Sequence, residues 1–129
     1  MAANGMQERD GIEMNEIEER LELSMLYDFY GALLKENQQR MFEASILDDF
    51  GYAEIAEQEG ISRQGVYDAI KRASRQLHEY ENKLGLVKRF NKQKEQTRQL
   101  QRELQAMGIS GEEQKWKKVF ALLEEIVTE

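Results

Sequence analysis

The sequence predicts an all-α protein, and three observations carry that prediction. No Pro occurs in 129 residues, so the strongest helix breaker is absent. Glu, Gln, Leu, Lys and Arg are abundant, and these straight-chain types lose little rotamer freedom in a helix. Apolar residues recur at helical spacings, and no stretch of useful length alternates as a strand would.

The elements follow in order. Residues 1–13 are small and polar, with Gly5 and Gly11, and read as a flexible leader without the apolar run of a signal peptide. A first helix is expected from about Glu13 to Leu34. Ile17, Leu21, Met25, Phe29 and Leu33 recur every fourth residue there, with Leu26 and Tyr30 widening the stripe. Glu16, Glu18, Glu19 and Glu22 crowd its early turns, where the helix dipole favours negative charge. Asn37 is the N-cap candidate of a second helix reaching about Asp48 and burying Met41, Phe42 and Ile46. Gly51 permits a turn. A short third helix covers Tyr52 to about Gln58, with Ile55 and Ala56 inward and Gly60 as C-cap. Ser62 caps a longer helix ending near Leu84, and Gly85 interrupts it. A polar, basic helix runs from about Val87 to Ala106. Gly108 and Gly111 mark a turn, and the last amphipathic helix carries Trp116, Val119, Phe120, Leu123 and Ile126. The organisation expected is a leader at 1–13, a helix-turn-helix domain at 14–85 and a helical extension at 86–129.

Composition excludes several function classes. With no Cys there is no disulfide framework, thiol nucleophile or thiolate zinc site. The single histidine, His78, leaves no His cluster for a metal and no His-based triad. No apolar run approaches membrane-spanning length. The Glu-rich run is a solvated helix start, and Asp48-Asp49 precedes a turn. The chain therefore reads as a non-enzymatic, cytoplasmic protein with no cofactor, no metal and no membrane insertion.

The net charge of −7 conceals an asymmetry. Residues 1–60 hold 4 Lys and Arg against 15 Asp and Glu, a local charge of −11. Residues 61–102 hold 11 against 4, or +7, and residues 103–129 hold 3 against 6, or −3. Phosphate binding answers to local potential, so a polyanion would dock on the middle third.

That third contains YAEIAEQEGISRQGVYDAIKRASRQL, residues 52–77. A helix-turn-helix needs a small residue where two helices cross, a turn residue that accepts left-handed geometry and a sharp start for the second helix. Ala56, Gly60 and Ser62 supply these in turn. Val66, Ile70, Ala73 and Leu77 fall within about 60° of one another on a helical wheel and form the inner face. Opposite stand Gln64, Asp68, Lys71, Arg72 and Arg75, flanked by Arg63 and Tyr67. The early turns of a recognition helix enter the major groove, so Arg63, Gln64, Tyr67 and Asp68 are the candidates for base edges. Lys71, Arg72 and Arg75 come later and suit phosphates. An ordinary helical hairpin with solvated outer charges is the competing account, and the joint spacing of Ala56, Gly60, Ser62, Val66 and Ile70 weighs against it.

EIAEQEGISRQGVYDAIKR also resembles region 4 of sigma-70-type factors. It is more similar still to the YlxM family of small bacterial proteins, and the match runs upstream through SMLYDFYGALL to cover roughly residues 17–85. SRQGVYDAIKR is its most specific part. The resemblance implies a sigma-70 region 4-like helix-turn-helix bundle. It also implies a regulatory link to the signal recognition particle pathway, because family genes tend to neighbour those of its components. Two positions depart from the family pattern. Gly65 stands where Ala is usual, at a cost of about 1 kcal/mol in helix propensity. Ser45-Ile46 stands where paired tyrosines are often found, so a role resting on those aromatics does not carry over.

These readings lead to a double-stranded-DNA-binding regulator, with the C-terminal helices as candidate homodimer surface. The rival is an adaptor of the signal recognition particle that binds its RNA or protein and keeps the helix-turn-helix as scaffold. Net charge −7 leans toward the rival. The basic helix with Lys88, Arg89, Lys92, Lys94, Arg98 and Arg102 would be its RNA surface, unless those charges are only solvated.

Overall fold

The structure, a computed structural model, describes the backbone of residues 2–128 and the side chains of residues 14–128. The leader expected over residues 1–13 lies outside the residues described in full. Every regular element is helical: α1 (Ala2–Tyr30), a 3₁₀ turn (Gly31–Leu33), α2 (Glu36–Phe42), a π turn (Glu43–Leu47), α3 (Tyr52–Glu59), α4 (Arg63–Leu84), α5 (Leu86–Ala106), a second 3₁₀ turn (Gln114–Trp116) and α6 (Lys117–Ile126). The chain divides into two compact units, Met1–Leu84 and Gly85–Glu129.

In the first unit α1 buries Leu23, Leu26, Tyr30 and the following Leu34. Ile17, Leu21 and Leu33, expected inside, are 52%, 65% and 57% exposed. The reason is geometric. A strict spacing of four overshoots one helical turn by about 40° at each step, so the run from Ile17 to Leu33 walks around the helix. The Leu23, Leu26, Tyr30, Leu34 set takes steps of three, four and four and stays on one face. Tyr30 is almost wholly buried; its hydroxyl donates to Glu81 Oε1 at 2.5 Å and its ring meets that of Tyr80 at 6.0 Å. Tyr27 stacks on the fully buried Phe42 with ring centroids 4.9 Å apart, and its hydroxyl donates to Glu43 Oε1. Burial first, and then that carboxylate, push the Tyr27 hydroxyl pKa upward.

α2 begins at Glu36, one residue before the expected cap Asn37. The start is closed from within. Gln38 Oε1 accepts the Lys35 backbone N–H at 3.2 Å, and the Gln39 amide donates to the Leu34 carbonyl at 3.0 Å. The helix expected to run on to Asp48 instead widens into the π turn, where the Asp48 N–H reaches the Glu43 carbonyl at 2.9 Å. The chain leaves it through Asp49, at φ 59°, a left-handed conformation that Asp tolerates. Arg20 Nη1 donates to Asp49 Oδ1 at 2.9 Å and ties this exit to α1.

The second unit pairs α5 with α6. Arg98 Nη1 and Gln101 Nε2 both donate to Glu124 Oε1, at 2.7 and 3.0 Å. The Gln101 bond first, and then that of Arg98, hold the Glu124 carboxyl below its ordinary pKa. On α6 the inner set is Leu123 and Val127, both buried, with Trp116 and Phe120 half-buried. Val119 and Ile126, expected on this stripe, are 37% and 49% exposed, because the inner face runs through positions 116, 120, 123 and 127. No helix among the described residues is long and apolar enough to cross a membrane.

Candidate nucleic-acid interface

The turn between α3 and α4 fixes which side of α4 faces outward. α3 ends at Gly60, which lies in the left-handed region at φ 69°, ψ 31°. From there the Ile61 N–H returns to the Ala56 carbonyl at 3.1 Å, closing the helix end. α4 then starts at once: Ser62 Oγ accepts the Gly65 N–H at 3.0 Å, and the Ser62 carbonyl accepts the Val66 N–H at 3.1 Å. The two helices are clamped by one apolar cluster. Ile55 and Ala56 from α3 meet Val66 and Ile70 from α4 and Met41 from α2, with Ala44 and Ala69 at the edge. Ala73 and Leu77 extend this inner face along α4, and both are fully buried.

With that face committed, Arg63, Gln64, Tyr67, Asp68, Lys71, Arg72 and Arg75 all stand on the exposed side of α4. Arg63 and Arg75 are twelve residues apart, a span of about 18 Å at 1.5 Å per residue. Arg63, Arg72 and Arg75 are in no ion pair among the described residues, which leaves three guanidinium groups for an outside anion. The other members hold one another. Gln64 Nε2 donates to Asp68 Oδ1 at 3.0 Å, which orients the amide. Lys71 Nζ lies 3.3 Å from the Tyr67 hydroxyl, to which it donates, and 5.5 Å from the centre of that ring.

Tyr67 has a further neighbour. Tyr52, at the start of α3, meets its ring edge-on at 6.0 Å and 70°. The pair forms one end of an open groove of about 770 Å³. Ile70, Lys71 and Ser74 of α4 line one wall, Glu16, Ile17, Glu19 and Arg20 of α1 the other, and Leu23 and Ile46 the remainder. Neither the Tyr52 contact nor the groove is foreshadowed by the motif spacing, since the first depends on how α3 crosses α4 and the second on α1 lying beside α4. Among the described residues no group of three or more acidic or histidine side chains is placed to hold a metal. His78 Nδ1 lies 3.9 Å from Glu22 Oε1 on the exposed surface.

Comparison with known proteins agrees with this architecture. The family described as "Putative helix-turn-helix protein, YlxM / p13 like" matches residues 17–119. A UPF0122 protein of Thermoanaerobacter sp. (strain X514) is 42% identical over 107 residues, which are 83% of this chain and 89% of that one. The UPF0122 protein of Halalkalibacterium halodurans is 40% identical over 112 residues, 87% of this chain and 97% of its own. That of Caldanaerobacter subterraneus is 57% identical over 67 residues, 52% of this chain and 57% of the relative's length. The chain belongs to the UPF0122 family of YlxM/p13-like helix-turn-helix proteins.

Proposed function

We propose that this protein is a regulator that binds double-stranded DNA through α4. The observation that carries the reading is the outward face of α4, where three arginines, in no ion pair among the described residues, stand on a helix whose start is fixed by Gly60 and Ser62. Arg63 and Gln64 on the first turn, with Tyr67 and Asp68 behind them, face base edges. Lys71, Arg72 and Arg75 take phosphates and set affinity. Asp68 holds Gln64, and that contact selects which edge the amide presents.

The second reading is an adaptor of the signal recognition particle that binds its RNA or protein. It is favoured by the charge of α5, where residues 86–106 carry six Lys and Arg against two Glu. Clustered cations suit the phosphates of structured RNA. Fluorescence anisotropy separates the two readings, using labelled random-sequence duplex DNA and signal recognition particle RNA over a salt series. The regulator reading expects duplex binding that weakens steeply with salt and disappears in Arg72→Glu/Arg75→Glu. No duplex binding at low salt overturns it. RNA binding that survives the α4 double substitution moves the function to α5.

A further inference from the structure

The groove beside α4 has walls of unlike character. On the α1 side Arg20 is engaged by Asp49, so that wall presents Glu16, Glu19 and the half-exposed Ile17. Tyr52 and Tyr67, about two-fifths exposed, offer aromatic surface at the end. Residues 14–30 as a whole hold five acidic groups against one Arg, a charge of −4. Pairing this surface with its own copy would set like charges together, so the occupant it fits is a basic amphipathic helix.

The chain itself contains one. α5 has a charge of +4, opposite and equal to that of residues 14–30. On a wheel of about 100° per residue, Arg89, Lys92, Leu100 and Met107 fall within about 80° of each other. Leu100 and Met107 are 49% and 73% exposed. This face is turned away from α6, which is held on the other side by Arg98 and Gln101. Glu103 shares the face, an acid on a helix side that would meet the groove's own cation, Lys71.

We infer that the groove between α1 and α4 receives the Arg89–Lys92–Leu100–Met107 face of α5 from a second copy of the chain. A two-fold axis makes two such seats, each joining the acidic helix of one protomer to the basic helix of the other. Because Tyr67 and Lys71 line the groove, association and DNA binding compete for them; this corollary rests on the proposed function, whereas the association does not.

The native chain has no cysteine, which makes the test direct. Ile17→Cys and Leu100→Cys are prepared as separate single-cysteine proteins, mixed, and treated with a short bis-maleimide. The expected result is a cross-linked dimer in the mixture and little in either variant alone. Equal cross-linking in Ile17→Cys alone, equal cross-linking in Leu100→Cys alone, or none in the mixture overturns the inference. Sedimentation equilibrium gives an independent reading that leaves the core untouched. Glu16→Lys/Glu19→Lys and Arg89→Glu/Lys92→Glu should each weaken dimerisation at least about tenfold, equivalent to about 1.4 kcal/mol, and a chain carrying all four changes should regain most of it. A wild-type protein that stays monomeric up to about 100 μM also overturns it. Duplex binding is measured separately, so its absence removes the corollary and leaves the cross-linking result to stand or fall alone.

Discussion

Replacing Gly60 isolates the backbone geometry on which the presentation of α4 depends. A Cβ added there would meet nothing within 4 Å, so steric collision plays no part in the outcome. What remains is the left-handed conformation at φ 69°. An L-residue with a side chain is disfavoured there by roughly 1–2 kcal/mol. Ala also restricts the unfolded chain, which offsets about 0.4–1 kcal/mol. Gly60→Ala should therefore destabilise the first unit by about 1 kcal/mol, or about 4–8 °C in Tm for a unit of this size. Gly60→Asn should cost less, because Asn visits the left-handed region more readily. The assay can be confined to the right unit. All five tyrosines, at positions 27, 30, 52, 67 and 80, lie in Met1–Leu84, and the one tryptophan, Trp116, lies in Gly85–Glu129. Near-UV circular dichroism in the tyrosine region thus follows the unit that holds Gly60. Wild-type stability in Gly60→Ala, or an Asn variant as costly as the Ala variant, would refute the reasoning.

Three further outcomes follow from packing and charge. Ser62→Ala removes the acceptor of the Gly65 N–H and should lower urea stability by about 1 kcal/mol without changing the m-value. Phe42→Ala empties a fully buried site and strips Tyr27 of its stacking partner; a loss of about 3–5 kcal/mol is expected by denaturant titration. The hydrogen bond from Arg40 holds the Glu59 carboxyl below its ordinary pKa of 4.5. Because the folded value is the lower one, the pair contributes stability above about pH 4.5 that is lost as pH falls through the lowered value. Glu59→Gln should accordingly flatten the acid limb of a stability–pH curve, and an unchanged limb would show that the pair contributes nothing.

What could be read in advance divides along a physical line. The α3–α4 turn was legible because its determinants are local. Gly60 ends one helix, Ser62 begins the next, and the inner residues of α4 repeat at 3.6, so three independent signals agree within about twenty residues. The side of α1 was not, because Ile17 to Leu33 and Leu23 to Leu34 are two apolar runs on one helix. Choosing between them requires knowing where α4 lies. The π turn at Glu43–Leu47 was hidden for a related reason: the chain leaves it through Asp49, which is paired with Arg20, 29 residues away along the chain. At the candidate site the seven α4 residues could be named from spacing alone. The Tyr52–Tyr67 contact and the groove could not, since they arise where α1 and α3 meet α4.

The opposition between a chain of net charge −7 and a basic recognition helix leads to a last prediction, on salt. Each phosphate neutralised by a cation contributes about −0.9 to the slope of log K against log salt on duplex DNA. Lys71, Arg72 and Arg75 as phosphate contacts therefore give a slope of about −3, and a single neutral change, Arg72→Gln or Arg75→Gln, should reduce it toward about −2 while cutting affinity. The groove adds a second term of opposite sign. Glu16 and Glu19 line it with Lys71, so phosphates approaching Lys71 meet two carboxylates on the facing wall. Glu16→Gln/Glu19→Gln should consequently raise affinity for every duplex alike and leave base preference unchanged, since these residues reach no base edge. Anisotropy titrations on two unrelated duplexes measure both effects. A gain confined to one sequence would mean that α1 takes part in reading bases, and a slope near zero would mean that the arginines of α4 do not meet phosphate at all.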